Sequence, residues 1–180
     1  MAAGVKFTGG GKLLTKLKKM AKNSKKARLT AGFYKDAKYA DGTPVAQVAA
    51  WNNFGTLRED GSEFIPPRPF FTDAINENKD KWAEGLGKRL KANGMDIENA
   101  MKRVGEEMRA DIQDKIEHNN YVPNSPVTIN GVYHKSKKTG KVFEIKGKGV
   151  NSPLRNTRHM RDSVGYQYND ESPQYRQGGD

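Results

Sequence analysis

The sequence predicts an α+β fold. A small antiparallel or mixed sheet should pack against two long helices, with a basic N-terminal helix and an extended β-hairpin insertion. Three observations carry this. Two long segments, about 70–90 and 96–117, repeat apolar residues at helical intervals. Short strand-like runs lie outside them, near 27–34, 127–133 and 141–146. Turn residues such as Asp41-Gly42, Asn93-Gly94 and Pro123-Asn124-Ser125-Pro126 separate the runs.

Lys12-Leu13-Leu14-Thr15-Lys16-Leu17-Lys18-Lys19-Met20-Ala21 has apolar residues at 13, 14, 17, 20 and 21, one stripe at helical spacing. Lys12, Lys16, Lys18, Lys19 and Lys22 fill the other face. This helix, about 11–23, has a short stripe without Trp or Phe, so it should dock on its own domain rather than on a membrane surface. Ala27–Tyr34 reads as a strand, with Leu29, Ala31 and Phe33 on one face. In Asp41-Gly42-Thr43-Pro44, Thr43 should cap a helix and Pro44 should occupy its first position. The mostly apolar helix Val45–Phe54 follows, stopped by Gly55. Thr56–Glu63 reads as a polar loop.

Phe64-Ile65-Pro66-Pro67-Arg68-Pro69-Phe70-Phe71 comes next. Each proline fixes φ and lacks an amide donor, so the stretch suits neither a helix interior nor a central strand. The residue before each proline is pushed toward extended backbone. The result is a braced lead-in whose aromatics must pack on something. Pro69 should open a helix from Phe70 to Leu90, with Ile75, Trp82, Leu86 and Leu90 on its stripe. A second helix, Asp96–Glu117, has the stripe Ile97, Met101, Val104, Met108, Ile112 and Ile116, which reads as ordinary core.

Val127–Tyr133 and Lys141–Lys146 read as an extended hairpin, an arm of about 127–147. Its strands are expected to lack a continuous apolar face, and its tip carries Lys135, Lys137, Lys138 and Lys141. Pro153–Tyr166 reads as a short helix entering a final strand. One domain is expected over 1–168, with a loose tail over 169–180.

Composition narrows the function. No apolar run approaches the roughly 20 residues that span a bilayer. The N-terminus lacks the apolar segment of a secretory signal. The absence of cysteine excludes disulfides, thiolate metal sites and cysteine nucleophiles, and fits a reducing cytosol. The net charge is +11, and residues 1–38 hold eleven Lys and Arg against Asp36 alone. That asymmetry points to a polyanion or an acidic protein surface, or to a solubilising face. His118, His134 and His159 are scattered, and no nucleophile elbow appears. Gly9-Gly10-Gly11-Lys12 lacks the spacing of a phosphate loop. Glu106, Glu107, Asp111 and Asp114 read as a solvated helix face. No catalytic residue, metal or cofactor is expected. A small hydrolase is the weakest reading.

Two stretches together carry a resemblance. The first is Val45-Ala46-Gln47-Val48-Ala49-Ala50-Trp51-Asn52-Asn53-Phe54-Gly55-Thr56, followed by Ile65-Pro66-Pro67-Arg68-Pro69-Phe70. The second is Pro153-Leu154-Arg155-Asn156-Thr157-Arg158-His159-Met160-Arg161-Asp162-Ser163-Val164. Their order and spacing, from about Leu13 to Tyr166, resemble the tailed-phage tail-completion (neck) proteins of the lambda minor tail protein Z type. That family has a helix ending Glu-Phe-Gly-Thr, then Ile-Pro-x-Arg-Pro-Phe, two helices and a terminal Leu-x-x-Thr-Gly-x-Leu-x-x-Ser-Ile. Asn53 departs from the family's Glu. Arg158 departs from its Gly, which suggests a continuous helix there.

The resemblance implies a structural virion protein without catalysis, assembled in the host cytoplasm. It would form a ring of identical copies, expected to be a hexamer, at the head-proximal end of a tail. Neighbours would be tail-terminator, tail-tube or head-completion proteins, with contact to channel DNA open. Trp51, Phe54, Phe64, Pro66, Pro67, Arg68, Pro69, Phe70 and Phe71 would form the interface, the aromatics anchoring either the domain itself or a neighbour. Lys12, Lys16, Lys18, Lys19, Lys22, Lys135, Lys137, Lys138 and Lys141 would meet DNA or an acidic partner. The alternative is a basic accessory protein that binds DNA nonspecifically.

Overall fold

A computed structural model describes residues 15, 18, 19, 22, 26–92, 96–118, 120–136, 138–149, 151, 153–154 and 158–175. The architecture is α+β, with small antiparallel sheets packed with long helices. The elements are β1 (Leu29–Phe33), α1 (Val45–Phe54), β2 (Thr56–Leu57), β3 (Glu63–Ile65), α2 (Phe70–Ala92), α3 (Ile97–Glu117), α4 (Pro126–Asn130), β4 (Gly131–Lys135), β5 (Val142–Lys146), α5 (His159–Asp162), β6 (Val164–Tyr168) and β7 (Gln174–Tyr175).

The main sheet has the order β1-β6-β7. β1 and β6 run antiparallel from Leu29↔Tyr168 to Phe33↔Val164. Helix α3 lies against them, and α2 packs on α3. Val45, Ala49, Phe70, Ala74, Ile112, Ile116, Met160 and Val164 form the buried cluster, so every layer contributes to one core. Trp82 reaches across from α2, where its Nε1 donates to Asp111 Oδ2 at 2.7 Å. Lys115–Glu77 at 2.7 Å and Arg89–Glu107 tie the same two helices. Asp96 caps α3 by accepting from Asn99 N at 3.1 Å.

Gly105 lets α3 approach the sheet. A Cβ there would lie 2.4 Å from Tyr166 Cδ2 and 3.0 Å from a Leu29 methyl. Both contacts are too short, and the ring is buried. Gly105→Ala should therefore lose stability despite its better helix propensity. Overpacking costs about 1–3 kcal/mol against a propensity gain of about 1 kcal/mol. A urea midpoint equal to or above the wild-type value would contradict this.

Several expectations change. The Val127 segment does not begin a strand. Ser125 Oγ accepts from Thr128 N at 3.2 Å with Pro126 next to it, which starts the short helix α4 and delays β4 to Gly131. The stretch 56–63 is not merely a loop, because β2 and β3 pair across it (Thr56↔Ile65). Thr43 does not cap α1. Pro44 holds the cap position with extended backbone and no side-chain cap, while Asp41 Oδ1 accepts from Thr43 N at 2.9 Å in the preceding turn. Ile75 faces solvent, and the buried stripe of α2 runs through Phe70, Ala74 and Trp82 instead.

The tail is not wholly loose either. β7 pairs with β6 at Gly165↔Tyr175 and Tyr166↔Gln174. The Tyr175 ring covers Gly165, where a Cβ would meet it at 2.9 Å, and its hydroxyl donates to Asp36. In the N-terminal helix, Thr15, Lys18, Lys19 and Lys22 are helical and exposed. Lys12, Lys16, Lys137 and the docking stripe of Leu13, Leu17 and Met20 lie outside the described residues, as does Asn93-Gly94.

Candidate assembly surface

The proline stretch is where α1, β3 and α2 meet. Gly55 ends α1 at φ +74, a conformation that favours glycine. A Cβ there would also strike Ile65 O at 2.8 Å. The chain then turns through β2 and β3 and returns along the prolines beside the end of α1.

Two side chains lock this return. Asn53, buried, accepts at Oδ1 from Phe71 N (3.0 Å) and Thr72 N (3.2 Å), while its Nδ2 donates to Thr72 Oγ1 (2.9 Å). The last turn of α1 thus caps the first turn of α2, where free amides and the helix dipole favour an oxygen acceptor. The position needs an oxygen, which Asn53 supplies. Arg68, only 5% exposed, is the second lock. Its backbone amide donates to Asn52 O at 2.7 Å. Its guanidinium donates to Val122 O (2.9 Å), Asn52 Oδ1 (3.2 Å), Pro123 O (3.2 Å) and Asn124 Oδ1 (3.4 Å). Burial lowers its pKa, with Glu63 pulling the other way.

These positions correct the interface expectation for part of the set. Arg68 is a brace within its own domain, because its fork is filled by oxygens of the 122–124 loop and α1. Phe70 is fully buried and Phe71 half-buried, packed with Phe33 in edge-on and tilted contacts of 6.3–6.5 Å. They anchor the domain itself. Trp51, Phe54 and Phe64 do face solvent, and Pro66, Pro67 and Pro69 lie outside any helix or strand in the segment between β3 and α2. Phe54 is 75% exposed, Leu57 71% and Phe64 62%. Leu57 and Phe64 share an open depression with Arg58, Glu59 and Asp60, and Arg58 lies 5.2 Å over the Phe64 ring. Leu57 escaped the sequence reading because it stands alone among charges. The Asp60-Gly61 dipeptide was the available hairpin signal.

Cavities flank α1 on two sides. One, of about 270 Å3, is lined by Phe33, Ala46, Ala49, Ala50, Asn53, Phe54, Phe70 and Phe71. The other, of about 400 Å3, includes Tyr39, Trp51, Asn52, Leu154, Arg158 and Lys148, whose pKa is lowered by burial and by Arg68.

The β4–β5 arm also differs from expectation. Its register pairs Val132 with Ile145 and His134 with Phe143, so these four share a face, and the last two rings meet edge-on at 5.3 Å. The arm therefore has a continuous apolar face, and it is exposed. Lys135, Lys138 and Lys141 are exposed around its tip. Elsewhere, the acidic face of α3 is partly engaged: Asp111 holds Trp82 and Lys81, Glu107 holds Arg89, and Asp114 meets His118. His159 meets Lys38 O at 2.9 Å and packs on Tyr39. Among the described residues, no group of His, Asp or Glu could hold a metal ion.

Nothing among family models, curated proteins or solved structures matches this chain. Arg158 has φ +56 and ψ −7, so the turn before α5 is left-handed and the expected continuous helix is absent. The resembled motif carries glycine at this point. Arg158→Gly should therefore relieve strain of about 1–2 kcal/mol, partly offset by roughly 0.5–1 kcal/mol of added unfolded-state freedom. A small rise in melting temperature checks this, and a clear fall would contradict it.

Proposed function

We propose that this chain is a structural virion protein of the tail-completion kind. It is a subunit of an oligomeric ring at the head-proximal end of a phage tail, joining the tail to the head or neck. The observation that carries the reading is the trio Phe54, Leu57 and Phe64, held in solvent on backbone that Asn53 and Arg68 lock. Apolar side chains on a rigid frame lose little further freedom on assembly, and exposed apolar groups that share one depression, as Leu57 and Phe64 do, mark contact surfaces. The left-handed Arg158, where the resembled motif has glycine, adds support. The reading involves no catalysis and no cofactor. Its partners are further copies of the chain and a neighbouring tail-terminator, tail-tube or head-completion protein.

Changing Phe54, Leu57 and Phe64 together to Ser tests it. All three are exposed, so the melting temperature should hardly move. Self-association by light scattering, and head–tail joining in particles assembled with the variant, should both be lost. Normal joining would overturn the reading. Nonspecific DNA binding remains the second reading, favoured by the exposed Lys18, Lys19 and Lys22 and the basic arm tip. If it holds, the purified chain binds duplex DNA with log K falling at about 0.9 per phosphate with log salt. Changing Lys12, Lys16, Lys18, Lys19 and Lys22 to Gln then flattens that slope.

A further inference from the structure

We propose that the β4–β5 arm of one copy docks on the β2–β3 ribbon of the next, making a head-to-tail contact between two different patches. The proposal rests on the ring reading above and names the surfaces that would build it.

The arm needs a cover. A lone two-stranded ribbon is marginal in water, and this one is supported mainly by its own pairing and by α4. Yet Val132, Phe143 and Ile145 share one face and all three are exposed. The same ribbon is strongly basic. Residues 131–148 contain six lysines and one glutamate. Lys135, Lys138 and Lys141 make no ion pair among the described residues.

The β2–β3 ribbon offers the complement. Leu57 and Phe64 give it an apolar surface. Its turn carries Glu59, Asp60 and Glu63, none in a salt bridge among the described residues. The one basic residue there, Arg58, is exposed and lies along the ribbon, donating to Ser62 Oγ and the Glu63 carbonyl beside the Phe64 ring. Three carboxylates against one guanidinium leave the ribbon net acidic. Apolar side chains beside lysines face apolar side chains beside carboxylates, the complementarity that selects partners. Within one copy the two ribbons leave each other exposed, and a second copy carries the complement of each. Joining unlike patches repeats the same rotation at every step and closes into a ring or continues as a filament.

The chain has no cysteine, so engineered thiols report the contact directly. Phe64→Cys and Phe143→Cys both alter exposed side chains and should leave the fold intact. Under oxidised glutathione, a mixture of the two single variants should form a disulfide-linked heterodimer, and each alone should form little. The double variant should give a covalent ladder. Glu59→Lys with Asp60→Lys should cut the heterodimer yield at least tenfold. Adding Lys135→Glu, Lys138→Glu and Lys141→Glu on the opposite partner should restore it.

Homodimers from each variant alone, without heterodimers, would overturn the docking while leaving a ring built through other surfaces. So would self-association seen by light scattering without any cross-link. Loss of duplex DNA binding on reversing the three arm lysines, with no cross-link in any mixture, would make the arm a nucleic-acid element and overturn the proposal. A chain that stays monomeric at every concentration and is missing from particles would overturn both the docking and the ring.

Discussion

Phe70→Ala is expected to cost the isolated protein about 3–5 kcal/mol, a large share of a domain's stability. Phe70 has no exposed surface and sits where α1, α2, α3 and the sheet converge. Its ring meets Phe33 edge-on at 6.3 Å and Phe71 at 6.5 Å. Truncation opens a cavity bounded by elements that are tied to one another elsewhere, so collapse around it should be poor. Phe54→Ala is the matched control. Phe54 ends α1 in solvent, and its loss should stay within about 0.5 kcal/mol. Urea denaturation of both variants checks the contrast. Equal losses would mean that the core is not centred on Phe70.

Arg68→Ala is expected to destabilise the isolated protein by about 2–4 kcal/mol, combining lost charge-assisted hydrogen bonds with exposed carbonyl acceptors. Two effects oppose each other. Removing a buried guanidinium that has no carboxylate partner relieves its desolvation cost. But Val122 O, Pro123 O, Asn52 Oδ1 and Asn124 Oδ1 lose their donor together. The second effect should win, because four acceptors around one vacated site are harder to rehydrate than one. Arg68→Lys should recover little, since an ammonium cannot reproduce the planar fork. Thermal unfolding of the purified variants gives the answer. An unchanged melting temperature with lost assembly would return Arg68 to the interface role that its sequence context suggested.

The long helices were legible because their period repeats over many turns, so Trp82, Val104, Ile112 and Ile116 mark them without tertiary help. β1 was legible for the same reason on a smaller scale. The misread elements are those where a cap or a distant partner outweighs local pattern. Val127, Thr128 and Ile129 favour a strand by type, yet the Ser125 cap and Pro126 turn them into a helix. Within the candidate surface, Trp51, Phe54 and Phe64 were legible as large apolar residues in unusual surroundings. Arg68 was singled out for an interface, whereas its guanidinium is filled within the domain. Most of its acceptors lie on a loop more than 50 positions away, and no spacing rule points to those carbonyls. The apolar face of the arm depends on cross-strand register, which pairs Val132 with Ile145 only once the turn is known.

The sheet pairing sets a timetable for chain growth. Leu29 waits for Tyr168, and Phe33 for Val164, so β1 leaves the ribosome long before its partner exists. α2 and α3 adjoin in sequence and can pair as soon as Glu117 emerges. Synthesis from there to Tyr168 takes about 3–10 s at roughly 5–20 residues per second. During that interval the helical hairpin exists without its covering sheet, and the apolar face of β1 stays open in a crowded cell. Closure of non-local strand pairs is slow even in a finished chain. The newborn protein therefore passes through a stage in which apolar surface is open before its partner strand has been made, the stage at which such chains are most prone to aggregate.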